Sequence, residues 1–183
     1  MTYELICNAV DKLYSKYDEP DPFRLCNDMG IHLIFSSLGT DDDSIKGFYF
    51  ESNRIKTITV NEDLPEVFQR IIVAHEIGHS VLHGSRGHRH FQEFSMLNDS
   101  SIMEREANLF AAEYLLDDDD VYDRLQECYS FFDIARAFYV PYELLEFKLN
   151  IMQNKGYEIY NIPDYAHSDF LKDCEVPDCD WWE

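Results

Sequence analysis

The chain has 183 residues, a formal net charge of −21 and a hydrophobic fraction of 45%. This length suits one domain with a substantial core, and no run approaches the ~18 to 20 uninterrupted apolar residues that a membrane-spanning helix needs. The acidic charge argues against direct binding to duplex nucleic acid, where Lys and Arg must neutralise phosphates, and it favours a basic partner.

The N-terminal sequence and the cysteines predict a cytoplasmic protein. The first five residues lack the basic region and the long apolar region of a secretory signal. The five cysteines are an odd number without zinc-finger spacing, so we expect free thiols in a reducing compartment. The less favoured alternative is a labile disulfide or an adventitious metal at Cys174 and Cys179, which lie close together in the acidic tail.

The first third of the chain predicts two helices and three strands. Apolar residues recur at helical spacing over Tyr3–Tyr17, and a short helix follows near Phe23–Met29. Runs rich in β-branched and aromatic residues predict strands at Ile31–Phe35, Ile45–Phe50 and Ile55–Val60. The last two strands read as a hairpin. We expect a small sheet that packs on the helix that follows it.

That next helix carries the motif H-E-x-x-H within an apolar run, as His75, Glu76 and His79. Residues four apart lie on one face of a helix, so His75 and His79 can offer two imidazoles to one Zn²⁺. Glu76 is the candidate general base that takes a proton from metal-bound water. The less favoured alternative is an ordinary core helix whose two histidines are satisfied by hydrogen bonds.

Beyond this helix the pattern predicts a loop, a long helix and three shorter helices. The loop covers Gly84–Asp99, and the long helix runs from Ser100 or Ser101 to Leu116. The four Asp residues at 117–120 either break the pattern or start the next helix, because negative charge stabilises a helix N-terminus. The shorter helices are predicted at Val121–Cys128, Phe132–Phe138 and Pro141–Leu149.

The segment Ile134–Pro141 resembles part of a helix-turn-helix. A DNA-recognition helix needs exposed basic residues, whereas the helix after Pro141 offers mainly Glu143, Glu146 and Lys148. Plain helical packing is therefore the favoured interpretation. Beyond Gly156 the chain is irregular, and its pattern gives it no role.

A catalytic zinc site commonly has three protein ligands and an open position for water, so the motif lacks one ligand. His83 continues the same helical face, but it lies ~12 Å from His75 along the axis at ~1.5 Å per residue, too far for one ion to bridge. A packing role or a contact with a ligand is favoured for His83. His88 and His90 fall in the predicted loop, where a ligand is poorly held.

A carboxylate from the long helix is the better candidate for the third ligand. Glu104 and Glu106 both complete a set of two histidines and one glutamate. The small residues Ala107, Ala111 and Ala112 allow this helix to approach the motif helix closely. That argument favours the helix but does not separate its two glutamates.

The motif His75–His79, together with Glu104–Leu116, resembles the ImmA/IrrE metallopeptidases. Three upstream segments also match the approach of that family to its motif: Lys46–Tyr49, Thr57–Asn61 and Gln69–Arg70. The resemblance covers about Asp21–Leu116, becomes weak through Leu149 and is absent from the tail. One departure is the Asp-rich segment after Leu116, where many relatives have a Pro.

The resemblance implies site roles. The family pattern E-x-x-A-N/S-x-F-A carries the third ligand on its first Glu, which is Glu104, while Glu106 remains the alternative. Asn108, one turn later, is a candidate for orienting a histidine ligand. An oxyanion stabiliser is also needed, and the sequence does not choose among its candidates, which are Tyr114, His83, Tyr165 and His167.

The resemblance also implies a fold and a function. The expected fold is α+β and zincin-like, with a three-stranded sheet on the H-E-x-x-H helix and additional C-terminal helices. We expect a metallopeptidase domain at 1–120, a helical extension with the helix-turn-helix-like segment at 121–150 and an acidic irregular tail at 151–183.

The implied activity is that of a zinc-dependent endopeptidase of the gluzincin type, with Zn²⁺ held by His75, His79 and Glu104. Its implied substrate is a helix-turn-helix repressor, a basic protein of a phage or mobile element. The alternative is a regulatory protein that keeps a metal-stabilised fold and docks on a transcription factor or nucleic acid without cleaving anything. A structural domain without metal is the third possibility.

Overall fold

The computed structural model describes residues 1–41, 44–84, 99–127 and 130–159, with the backbone alone at 99–101. Within these ranges the fold is α+β, as predicted, with seven α-helices and a three-stranded sheet. The helices are α1 Tyr3–Tyr17, α2 Pro22–Asp28, α3 Glu66–Gly78, α4 Asp99–Leu115, α5 Asp118–Gln126, α6 Phe131–Ala137 and α7 Tyr142–Lys155. The strands are β1 Ile31–Ser36, β2 Gly47–Ser52 and β3 Ile55–Asn61.

Several predictions concern residues outside the described ranges. These are most of the loop after Gly84, with His88 and His90, and the tail from residue 160, with Cys174 and Cys179. Cys7 and Cys26 are free thiols, as expected. The division of the chain at residues 120 and 150 stays a prediction. None of the helices in the described part has the length and apolar composition required to cross a bilayer.

The sheet has the strand order β1-β3-β2. The central strand β3 pairs in parallel with β1, where Ile31 lies opposite Lys56, and antiparallel with β2, where Gly47 lies opposite Val60. The predicted hairpin turns at Asn53 and Arg54, whose φ angles of 52° and 67° are left-handed. Two such residues in sequence are typical of the tight turns that match the twist of a hairpin.

Helix α3 packs on β2 and β3 and is buried over most of its length. Gly47 at the start of β2 makes this approach possible, because a Cβ at this position would clash with the side chain of Ile72. After Gly78 the helix continues as a π-helical turn, His79–His83. The sequence pattern predicted a helix here but not this widening, which is frequent at functional sites.

Helix α4 packs closely against α3, as its small residues predicted. Ala107, Ala111 and Ala112 are fully buried on α4. Gly78 faces Phe110, and a Cβ added to Gly78 would lie 3.1 Å from the Phe110 ring. Because Gly78 has no side chain at this contact, the two helices come near enough for their polar side chains to meet.

The acidic run 117–120 starts α5, which decides between the two alternatives that the sequence left open. The Asp117 side chain accepts hydrogen bonds from the main-chain N–H groups of Asp119 and Asp120. A carboxylate in this position satisfies two N–H groups that lack helical partners and lies favourably in the helix dipole.

Helix α7 packs on α4 through buried residues and does not present a basic surface. Glu143, Glu146 and Lys148 are all buried, and Lys148 is only 1% exposed. The three charged residues considered for DNA contact are therefore unavailable to a phosphate backbone. This arrangement supports plain helical packing.

A network of four charged side chains ties α7 to α4 and α5. The Lys148 Nζ lies 2.8 Å from Glu113 Oε2 and 2.5 Å from Asp118 Oδ1. The Lys155 Nζ lies 2.5 Å from Glu113 Oε1 and 2.6 Å from Asp118 Oδ2. Each carboxylate thus bridges both lysines, and the burial of Lys148 is compensated by two opposite charges.

The network predicts a pH-dependent contribution to stability. Burial alone raises the pKa of Asp118, but the hydrogen bonds and charges of Lys148 and Lys155 outweigh it and lower the pKa. The ionised carboxylate therefore stabilises the fold above the ordinary pKa of ~3.9, and this stabilisation is lost as the pH falls through the folded-state pKa. We expect Asp118→Asn to lower the free energy of unfolding in urea by ~1.5–3 kcal/mol at pH 7.

The difference between wild type and Asp118→Asn should narrow as the pH falls below ~3.9. The matched control is Asp119→Asn, which changes an exposed carboxylate in the same helical turn and should cost less than ~0.5 kcal/mol. Equal losses in the two variants, or a difference that does not vary with pH, would contradict a role for the network.

Candidate active site

Three side chains from two neighbouring elements converge where α3 passes into the π-helical turn. The Nε2 atoms of His75 and His79 are 3.0 Å apart. The Glu104 carboxylate, from α4, lies 3.3 Å from Nε2 of His75 and 3.5 Å from Nε2 of His79. The structure therefore brings together the two motif histidines and the first of the two candidate glutamates.

The distances among these atoms can be compared with a tetrahedral zinc site. Ligand bonds of ~2.0–2.1 Å place the ligand atoms of a regular tetrahedron ~3.3–3.4 Å apart. The two nitrogens lie 3.0 Å apart, and each lies near a different oxygen of the Glu104 carboxylate, 3.3 Å from His75 to Oε2 and 3.5 Å from His79 to Oε1. Two imidazole nitrogens and one carboxylate are also a donor set that Zn²⁺ uses in catalytic sites. The residues present therefore fit a metal ion.

Hydrogen bonds and charge keep Glu104 ionised against the effect of burial. Desolvation by itself raises the pKa of this carboxyl, but hydrogen bonds from His75 and His79 and their positive charge more than compensate, so the pKa lies well below its usual range. A partly buried, ionised carboxylate beside two imidazoles can act as an anionic ligand.

Glu76 lies beside the cluster and differs from Glu104 in its environment. Its side chain is buried, and burial raises its pKa to about 7. The negative charge of Glu104 raises this pKa further, while the charge of His79 and a hydrogen bond from the main chain of Tyr49 oppose the rise. A carboxyl group with a pKa near neutrality can accept and return a proton near pH 7, as a general base must.

The contact with Tyr49 is a feature that the sequence did not indicate. Tyr49 lies on β2, at an edge of the sheet, and the main chain of this strand contacts the Glu76 carboxylate. Only the packing of β2 against α3, which Gly47 permits, brings the two together. No spacing rule within the motif could have found this partner.

Glu106 does not point at the cluster. Its Oε2 atom lies 2.9 Å from Nε2 of His83, and its Oε1 atom contacts the main-chain nitrogen of Met1. The Nδ1 atom of His83 lies 3.1 Å from Nδ1 of His79. His83 thus contacts a motif histidine, one of the two roles considered for it, and burial lowers its pKa and favours the neutral ring.

The remaining candidates for a role in the site are residues of the described ranges, Tyr114 and Asn108, and two residues outside them. The Tyr114 hydroxyl donates a 2.7 Å hydrogen bond to the main-chain carbonyl of Glu19, and the Tyr114 ring stacks on Tyr14. Those contacts indicate a packing role. Tyr165 and His167 lie outside the described ranges. Asn108 is fully buried on α4, and its orienting role stays a prediction.

Comparison with known proteins places this geometry in a family. The chain matches the Peptidase_M78 family, described as an IrrE N-terminal-like domain, over residues 26–150. It is 34% identical over 146 residues to uncharacterized immunity region protein 2 of Bacillus phage phi105, covering 80% of this chain and 90% of that protein. It is 25% identical over 162 residues to the metallopeptidase ImmA of Bacillus subtilis strain 168, covering 85% and 90%.

No solved structure matches the chain significantly. The family match extends over well more than half of the chain and includes both helices that carry the three clustered side chains. Two histidines and a glutamate at ligand distance are also what a metal-dependent peptidase requires. The chain therefore belongs to the ImmA/IrrE family of metallopeptidases, peptidase family M78.

Proposed function

We propose that this metallopeptidase is a zinc-dependent endopeptidase of the gluzincin type that cleaves a helix-turn-helix repressor. His75, His79 and Glu104 hold the ion, and Glu76 is the general base. The observation that carries the proposal is the convergence of the two Nε2 atoms, 3.0 Å apart, with the Glu104 carboxylate, whose oxygens lie 3.3 and 3.5 Å from them, beside a buried carboxyl group of raised pKa.

Each residue has a separate part in the proposed reaction. The bound metal supplies Lewis acidity, which lowers the pKa of a water molecule towards ~7 and polarises the scissile carbonyl. Glu76 takes the proton from the attacking water and passes it to the leaving amine. Glu104 remains ionised, so that only one of the two neighbouring carboxylates exchanges protons. The oxyanion stabiliser is left unassigned.

The substrate is proposed from charge and from the names of relatives. The chain has a net charge of −21, which attracts a basic protein such as a DNA-binding repressor over long range. One relative is an immunity region protein of a phage, and another is a metallopeptidase. Both names suit an enzyme that acts on a regulator of a phage or mobile element.

The proposal is tested with candidate helix-turn-helix repressors from the genome that encodes the peptidase. We expect co-incubation to convert the repressor into two fragments that intact-mass analysis adds up to the whole protein plus one water. Removal of metal with a chelator should stop the cleavage, and zinc should restore it. A repressor that binds the zinc-loaded protein but keeps its full mass would favour the alternative, a regulator that docks without cleaving.

A further inference from the structure

A second set of polar contacts lies behind the three proposed ligands. It runs from His79 through His83 to Glu106, with distances of 3.1 Å between the Nδ1 atoms of the histidines and 2.9 Å from Nε2 of His83 to Oε2 of Glu106. His83 and Glu106 are each 7% exposed. Neither of them is needed to complete the proposed set of three ligands.

The chemistry of these groups determines where the protons lie. A carboxylate only accepts hydrogen bonds, so the proton between His83 and Glu106 belongs to Nε2 of His83. When His79 binds a metal through Nε2, its single ring proton lies on Nδ1, 3.1 Å from Nδ1 of His83. Nδ1 of His83 then accepts this proton in a hydrogen bond, and Nε2 of the same ring donates to Glu106.

The position of this proton determines which nitrogen of His79 can bind a metal. If Nδ1 of His79 carries the ring proton, Nε2 of the same ring carries a lone pair. This Nε2 atom is the one that lies 3.0 Å from Nε2 of His75 and 3.5 Å from Glu104. The two contacts of His83 are therefore consistent with Nε2 of His79 as the metal-binding nitrogen. Nδ1 of His75, by contrast, is buried without a hydrogen-bond partner among the described residues.

We propose that His83 and Glu106 are positioning residues that hold His79 in the tautomer that ligates through Nε2, and that they thereby set the affinity of the protein for its metal. The proposal rests on the proposed function, since it requires a metal at His75, His79 and Glu104. Glu106 then has a role distinct from that of Glu104, although the two are only two residues apart.

A structural role is the competing explanation, because any buried carboxylate needs a partner. The test therefore measures zinc affinity by competition with a chelator, and it follows unfolding of the metal-free protein separately. The variants are His83→Phe and Glu106→Leu, which keep much of the volume and remove the hydrogen bonds. We expect each to weaken zinc binding by ~10–100-fold, the effect of removing a hydrogen-bond partner of a ligand.

Two further variants make the result specific. The double variant should bind zinc no less tightly than whichever single variant binds it less tightly. The reason is that the contacts from His79 through His83 to Glu106 act as a unit. Glu106→Gln, which keeps an acceptor oxygen, should recover part of the affinity lost in Glu106→Leu. The matched control is Glu113→Leu, which removes a carboxylate of similar burial from the same helix that contacts the two lysines of the charge network and the Cys7 thiol. It should lower stability and leave zinc affinity unchanged.

The protonated nitrogens of His79 and His83 can also be identified without any substitution. In zinc-loaded protein with ¹⁵N-labelled histidine, long-range ¹H–¹⁵N spectra should show the proton of His79 on Nδ1 and that of His83 on Nε2. A proton on Nδ1 of His83 would overturn the proposal, even if the variants fail to fold.

His79→Ala distinguishes a failure of the proposed metal site from a failure of the proposed positioning role. If His79→Ala binds zinc as well as the wild type, the proposed metal site is wrong. If His79→Ala loses zinc while His83→Phe and Glu106→Leu both match the wild type, the metal site is supported. The proposed positioning role of His83 and Glu106 is then wrong.

Discussion

Glu76→Gln is expected to reduce the rate of repressor cleavage by at least ~10²–10⁴-fold, the usual contribution of a general base. Glutamine keeps the size of the side chain but cannot take a proton from water. The zinc content should remain that of the wild type, because the Glu76 carboxylate is not one of the three clustered ligand groups. Single-turnover cleavage followed by intact mass, with zinc measured on the same samples, gives both quantities.

The control for this variant lies on the same helix. Glu66→Gln replaces an exposed carboxylate in the first turn of α3, away from the cluster, and should cleave at the wild-type rate. If Glu76→Gln also cleaves at the wild-type rate with full zinc content, Glu76 is not the base. If Glu76→Gln loses zinc as well as activity, the substitution has disturbed the fold of the site. The assignment of Glu76 as the base then requires that Glu76→Asp retain its metal.

Glu104→Gln is expected to weaken zinc binding by more than ~100-fold, beyond the ~10–100-fold effect of losing a partner of a ligand. The amide is a poorer donor than the carboxylate and carries no charge to offset that of the ion. Measurement by chelator competition places Glu104→Gln, Glu106→Gln and wild type on one scale. The order expected is wild type, then Glu106→Gln, then Glu104→Gln.

This order distinguishes the two glutamates directly. If Glu106→Gln loses more affinity than Glu104→Gln, the ligand assignment must be exchanged, whatever the distances in the metal-free site. Metal-free samples of both variants should give similar far-ultraviolet circular dichroism to wild type, because neither change alters the volume of the side chain. Loss of secondary structure in either would restrict the comparison to the variant that folds.

The local elements of the fold could be predicted because each has a signal within a few residues. The apolar spacing of Tyr3–Tyr17 and the β-branched strands have periods of 3.6 and 2 that packing preserves. The residues of α5 were harder to place, because an Asp run both disrupts an apolar pattern and caps a helix. Only the backbone conformation at Asp117 shows which effect prevails.

Contacts between distant residues had no comparable signal. The parallel pairing of β1 with β3 leaves β2 at an edge, where its main chain reaches Glu76. The four-charge network joins residues of three helices, and no pattern in the sequence pairs its members. Such contacts depend on how elements pack, and hydrophobic periodicity carries no information about that.

The sequence by itself determined the motif His75–His79, the α+β class and the membership in a metallopeptidase family, because these depend on local spacing and on residue types. It left Glu104 and Glu106 open on chemistry alone. The tertiary structure turns Glu104 to the two histidines and Glu106 to His83, because residues two apart on a helix point in directions about 200° apart. Which of the two directions met the motif histidines was decided by the contacts between α3 and α4, about which the spacing of the glutamates carries no information.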